Sequence, residues 1–237
     1  MSNIVRRIIK RLKSGGIVSS AKFAGRFVRS KVTTAVEEAR RGIDTEQPAY
    51  HRDLGIENPE NHSYQAAGYD TFNRAMSHVT VRPGQDVFVD FGSGKGRIVL
   101  LAAEHPFRRV IGVEAYEPLH CVAQENVRKS LPGLACQDVQ LVLADATQWE
   151  IPAAANVLFF YNPFEGAVLA KVWENIGRSL RAAPRPLTVV YVRPEYCFEK
   201  QIRWQELLTR KIELPCREGK LAIYETRTPA LSPQEKE

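Results

Sequence analysis

A chain of 237 residues, 44% apolar and 25% charged, has the size and composition of one folded α/β unit plus an extension, and not of a disordered chain. Its four scattered cysteines, Cys121, Cys136, Cys197 and Cys216, form no CxxC pair, so spacing suggests neither a disulfide framework nor a metal site, and no apolar run is long enough to span a membrane. The net charge of +6 is uneven: residues 1–42 carry eleven Lys and Arg against two Glu, the remainder 22 against 25, so the body is slightly acidic and a nucleic-acid partner is disfavoured.

Residues 1–41 read as a basic helical extension of two amphipathic helices. The first carries Ile4, Val5, Ile8, Ile9 and Leu12, the second Ala24, Val28, Val32 and Ala35, with Gly15-Gly16 between them. Arg6, Arg7, Lys10, Arg11 and Lys13 crowd the first helix. That pattern fits peripheral contact with an anionic membrane through residues 1–31, and equally a solvated face on a helix docked against the domain or a second copy. The location implied is cytoplasmic, with or without that peripheral contact. Residues 42–84 are a polar, irregular cap leading into the domain, with a helix from Tyr69 to Val79.

From there strands and helices alternate. Asp86–Asp90, Val110–Glu114, Val139–Ala144, Asn156–Tyr161 and Leu187–Val192 read as strands, and Gly96–Ala103, Pro118–Leu131 and Glu165–Arg181 as helices. The order predicts a doubly wound, mostly parallel sheet over residues 85–227, closed by an antiparallel pair, Leu207–Leu214 and Lys220–Thr226. A polar tail, residues 228–237, is expected to be mobile.

In such a sheet ligands sit beyond the carboxyl ends of the strands. Asp90 ends the first strand, and Gly92, Ser93, Gly94 and Gly96 follow in a GxGxG turn that lets a ligand approach the backbone closely. Glu114 ends the second strand, about 20 residues on, where an acid accepts hydrogen bonds from two ribose hydroxyls. Asp145 ends the third, placed to meet a base. Singly, Glu114 or Asp145 would read as a helix cap or surface acid; jointly with the glycine turn they read as one ligand site. A dinucleotide turn would be GxGxxG, and Asp90 would repel it, whereas a cationic sulfonium with an α-amino group favours that acid.

FVDFGSGKGR, IGVEAYEPL, LADA and FFYNPF, in that order from Val87 to about Val192, resemble the motifs of the class I S-adenosylmethionine-dependent methyltransferase superfamily. From Gly42 onward the chain also resembles largely uncharacterised bacterial members with an FVDxGSGKGR motif, which supply no acceptor. The resemblance implies a seven-stranded Rossmann-like sheet, S-adenosyl-L-methionine as cofactor, and contacts to it from Asp90, Gly92, Ser93, Gly94, Gly96, Glu114 and Asp145.

The fourth strand runs into Asn162-Pro163-Phe164, beside which the methyl group would project. Asn162 can accept a hydrogen bond from an amine, backbone carbonyls fixed by Pro163 can accept another, and Phe164 can pack on the acceptor's carrier. The turn resembles, in part, those of amino-methyltransferases acting on nucleic acid, glutamine or histone lysine. N-methylation of an amine on a protein or small molecule is therefore expected, without a metal. Asn162 serving instead as a helix cap is the other reading. O-methylation of a small molecule or glycan would need a base, and spacing fixes none of His51, His62, His78, His105 or His120 near a strand end. A non-catalytic cofactor-binding scaffold docking through the basic helices is a further alternative. Tyr64, Tyr69, Tyr191 and Arg193 are candidates to line the acceptor pocket, and Lys95 and Arg97 either reach an anion or lie solvated.

Overall fold

The computed structural model describes residues 31–55 and 58–226. Seven strands form a single sheet in the order β3-β2-β1-β4-β5-β7-β6: β1 (Val87–Phe91), β2 (Arg109–Glu114), β3 (Val139–Leu143), β4 (Ala155–Phe160), β5 (Thr188–Val192), β6 (Leu208–Cys216) and β7 (Gly219–Thr226). The first five pair in parallel, and β7 runs antiparallel to both β5 and β6. The expected doubly wound α/β sheet with its antiparallel closure is what the chain forms, each strand within about two residues of its sequence-derived bounds.

Central strands of a parallel sheet must be apolar on both faces, because helices cover both. β1 is buried at every position. Phe88, Val110, Phe159, Val190 and Ile223 pack on one side with α3 (Tyr69–Met76), α4 (Arg97–Ala103) and α5 (Glu117–Ser130). Val89, Ile111, Leu158, Val189 and Tyr224 pack on the other with α6 (Gly166–Ala182). On that second side four rings stack in a column: Phe91 on Phe160 at 4.7 Å, Phe160 on Tyr191 at 5.3 Å, and Tyr191 on Phe198 at 4.7 Å. Phe198 opens the short helix α7 (Phe198–Gln201), for which the sequence carried no periodic signal.

Residues 31–41 are helical (α1), but the apolar stripe does not face inward: Val32 is 57% exposed, and Ala35 is exposed as well. The helix docks instead through buried Thr34 and through Glu38 and Arg41, whose ion pairs reach the domain. The first expected helix, Ala24 and Val28 of the second, and the tail from Thr228 lie outside the described residues. The irregular segment after α1 contains a single helical turn, α2 (His51–Leu54). α3 stops at Met76, short of the expected Val79, where the backbone tightens: the His78 and Val79 N–H groups donate three residues back, to the Ala75 and Met76 carbonyls, at 3.0 and 3.2 Å. Among the described residues no helix is long and apolar enough to cross a membrane.

Chain order reverses between β1 and β4: β1 lies beside β2 on one side and β4 on the other. The two connections leave in opposite directions, which opens a crevice at the carboxyl ends of these strands.

Candidate functional site

The turn after β1 is built on left-handed glycines, with φ of 72° at Gly92, 54° at Gly94 and 82° at Gly96. A side chain at either of the first two would also collide: a Cβ on Gly92 would lie 2.6 Å from Pro163 Cβ, and one on Gly94 2.2 Å from the Tyr64 ring. The turn is anchored by Gly92 and Ser93, whose N–H groups donate to the Val113 carbonyl at 2.9 and 3.0 Å. Ser93 Oγ is buried and has no hydrogen-bond partner.

Asp90, 2% exposed, faces the crevice with no hydrogen-bond donor on its carboxylate among the described residues. Burial, and then the neighbouring Glu114, hold its pKa well above the usual carboxylate range. Glu114 is better provided for: Oε2 accepts from Gly94 N at 2.7 Å and Oε1 from Tyr116 N at 3.0 Å. Burial still raises it, against the pull of the Tyr116, Gly94 and Ala115 amides. Asp145 lies exposed at the rim, where Oδ1 accepts from Thr147 N at 2.8 Å and orders its own turn.

These residues share a cavity of about 600 Å³. Asp90, Gly92, Ser93, Glu114, Asp145, Asn162, Pro163 and Phe164 all line it. Gly94 and Gly96 do not; Gly94 is covered by Tyr64, and Gly96 is the N-cap position of α4.

Beyond β4, Asn162 takes a left-handed φ of 47°, and its Oδ1 is buried without a partner. Asn162 does not cap α6. That end is held by Glu60, whose carbonyl accepts from Glu165 N at 2.8 Å and whose Oε2 accepts from Val168 N at 2.9 Å, and by Gln201 Oε1 on Gly166 N. Phe164 lines the cavity but is largely a core residue, its ring edge-on to Phe160 at 6.2 Å.

His62, which spacing fixed to no strand end, reaches this turn. Its backbone N–H donates to the Pro163 carbonyl at 2.9 Å, and its Nδ1 lies 2.6 Å from the Asn162 carbonyl. A carbonyl only accepts, so Nδ1 carries a proton, and in the neutral ring Nε2 presents a lone pair. That Nε2 lies 3.7 Å from Glu165 Oε2, which also accepts from Cys197 Sγ at 3.3 Å. Burial and then Glu165 push the Cys197 thiol up to about 11. Donor atoms of His62, Glu165 and Cys197 lie within 4.8 Å of one another, a set whose atom types could hold a divalent ion. Sequence spacing showed none of this, since the three residues come from segments about a hundred and thirty residues apart end to end.

The segment from Asn58 to Ala67 crosses the cavity mouth. Asn61 pairs with Phe164 in an isolated bridge, and its Nδ2 donates to Tyr116 Oη at 2.6 Å. Tyr64 lies against Gly94, its hydroxyl donating to the Thr45 carbonyl at 2.7 Å. Arg97, 3% exposed, ties the end of this segment to α4 by donating to the Ala67 carbonyl at 3.0 Å; it also holds the earlier chain, donating to Thr45 Oγ1 at 2.7 Å and pairing with Glu38 and Glu46 at 3.1 and 2.9 Å. Lys95 is buried too, its Nζ 3.4 Å from Asp44 Oδ2. Neither cation is solvated, and four of the five Arg97 N–H donors are already taken. Tyr69 packs under Arg97 at 5.1 Å, outside the cavity, and Tyr191 is held in the aromatic column; Arg193 does line the cavity.

No protein-family profile and no curated protein matches the chain by sequence. Solved structures do match in fold. A SAM-dependent methyltransferase from Aquifex aeolicus superposes with a TM-score of 0.51 and 14% identity over 66% of this chain and 89% of that one. A ribosomal protein L11 methylase from Lactobacillus delbrueckii subsp. bulgaricus superposes with a TM-score of 0.50 and 11% identity, over 67% and 77%. The chain therefore has the seven-stranded, Rossmann-like fold of S-adenosylmethionine-dependent methyltransferases.

Proposed function

We propose that the protein is an S-adenosylmethionine-dependent methyltransferase whose acceptor is an amine on a protein or small molecule. The observation that carries the reading is Asp90, a fully buried carboxylate without a counter-ion in the cavity wall, next to a second acid and a glycine turn. Such a group calls for a cationic ligand. The residues fit this cofactor: Asp90 suits its ammonium and sulfonium charges, Ser93 Oγ is a spare polar contact, and Glu114, oriented by two backbone amides, keeps lone pairs for ribose hydroxyls. When bound, the cofactor supplies an electrophilic methyl group on sulfur.

The chain's own work is positioning and proton removal. Asn162 lines the cavity with an acceptor oxygen that takes no hydrogen bond, suited to orienting an amine N–H. His62, locked in one tautomer by the Asn162 carbonyl, offers Nε2 as the base, and Glu165 stabilises the imidazolium that results. A base at this position also supports a second reading, O-methylation, because a hydroxyl acceptor needs one.

Calorimetry with S-adenosylmethionine or S-adenosylhomocysteine tests the proposal. The intact chain should bind, and Asp90→Ala or Glu114→Ala should weaken binding strongly; no binding by the intact protein overturns it. Incubating the purified enzyme with labelled cofactor and libraries of amines and of hydroxyl compounds then separates the two acceptor readings.

A further inference from the structure

Arg193 follows the last residue of β5 at the cavity and holds a left-handed φ of 64°. A non-glycine residue pays about 1–2 kcal/mol for that conformation, so the surrounding structure has to impose it. It is imposed by the Arg193 N–H, which donates to the Lys220 carbonyl on β7 at 2.7 Å. The strained backbone leaves the side chain lining the cavity with Tyr161, Tyr196 and Cys197.

The guanidinium is unusual in this molecule. Buried Arg97 is satisfied by four oxygens, and half-buried Arg185 donates to the carbonyls of Ala155, Ser179 and Ala183 and to Ser179 Oγ. Arg193 makes no side-chain hydrogen bond and no ion pair among the described residues, and its Nε is buried without an acceptor. The Tyr196 ring centroid lies 4.2 Å from its Cζ, and no acceptor among the described residues takes its terminal Nη hydrogens. An unpaired buried donor of this kind costs about 1–3 kcal/mol, more when charged, until an acceptor arrives.

Charge is also divided along the crevice. Asp90, Glu114 and Asp145 stand at the ends of β1, β2 and β3, whereas Arg193 stands at the end of β5, beyond the Asn162 turn that follows β4. The three acids suit a cationic methyl donor; on the Arg193 side the lining acid Glu165 is engaged by Cys197 Sγ and faces His62, so Arg193 is a lining cation with no acid on it among the described residues. We propose that Arg193 anchors an anionic group, a carboxylate or phosphate, on the acceptor, gripping it through its terminal N–H groups. The planar fork of an arginine matches the paired oxygens of either group. The word acceptor rests on the methyltransferase reading; the anion site does not.

The test uses the full chain saturated with S-adenosylhomocysteine, and follows the Arg193 Nε–Hε resonance, assigned by its loss in Arg193→Lys. Sodium phosphate and sodium acetate are titrated separately, against sodium chloride at matched ionic strength. A saturable shift with phosphate or acetate and none with chloride is expected, and which of the two binds tighter identifies the anion's source. Arg193→Gln should weaken that binding at least tenfold by calorimetry, while affinity for S-adenosylhomocysteine and the melting temperature stay those of the parent. No saturable shift with either anion, or equal phosphate affinity in Arg193→Gln, overturns the proposal. Should the anion bind while S-adenosylhomocysteine does not, the methyltransferase reading fails and the anion site stands.

Discussion

Replacing Asp90 with asparagine removes a charge and almost no volume, which makes it a clean probe of the buried acid. In the folded protein the carboxyl is fully buried, accepts no hydrogen bond among the described residues and faces Glu114, so its folded pKa exceeds its unfolded one. The sign follows: the native state prefers the neutral acid, and stability is lost as pH rises from the ordinary aspartate range near 4 through the raised native value. Asp90→Asn cannot ionise and should escape that loss. An uncompensated buried charge costs several kcal/mol, and the buried amide itself returns about 1–3 kcal/mol, so a net gain of about 1–2 kcal/mol is expected at pH 8. For a chain of this size that is about 2–8 °C in melting temperature. Thermal denaturation at pH 5 and pH 8 measures it, and the gain should be larger at the higher pH. Affinity for S-adenosylhomocysteine should fall about 10–100-fold in the same variant, the worth of one charge-assisted hydrogen bond. A stability difference that is the same at both pH values, or that falls with pH, would refute the argument, as would unchanged affinity.

Gly94→Ala should destabilise the fold by about 1–3 kcal/mol, through both the left-handed φ and the collision with Tyr64; in a Tyr64→Ala background the cost should drop, and an equal cost in both would show that the ring is not responsible. Arg97→Met should cost about 3–5 kcal/mol in denaturant unfolding by removing the buried cation that Glu38 and Glu46 share, against less than 1 kcal/mol for exposed Arg203→Met. His62→Ala should lower the methyl-transfer rate about a hundredfold or more with cofactor affinity kept; an unchanged rate would exclude it as the base. Sedimentation with anionic vesicles should capture the full chain and not one starting at Lys31, and equal capture would refute a membrane role for residues 1–30.

The fold was readable because each strand of a doubly wound sheet is a short apolar run and each helix a periodic one. Asp90, Glu114 and Asp145 could be placed for the same reason, as acids directly after such runs. What could not be read depends on contacts between distant segments. Arg97 looked like a helix-start cation because Thr45 and Glu46 lie about fifty residues earlier. His62 lies a hundred residues from the turn it supports. Arg193 carries its strained φ with no glycine or asparagine to signal it, and its setting depends on Lys220 across the sheet. Val32 follows a helical apolar pattern yet stays exposed, since Thr34, Glu38 and Arg41 supply the docking face. Periodicity reports amphipathicity, not which face finds a partner.

The segment over the cavity is fastened unequally at its two ends. At the β1 turn, buried Arg97 donates to the Ala67 carbonyl and also holds Thr45 and Glu46, the stretch to which Tyr64 is tied by its hydroxyl and its backbone pairing with Ala49. At the acceptor end, Asn61 and His62 hold on by a backbone bridge and contacts to Tyr116, Asn162 and Pro163. The end that lacks a buried, charge-assisted bond should release first, so exchange with solvent should begin beside Asn162 and reach Gly94 last. For the proposed methyltransferase an ordered cycle is expected: methyl donor first on, methylated product first off, and demethylated cofactor last to leave. Product-inhibition patterns would record that order, with S-adenosylhomocysteine competitive against the donor alone.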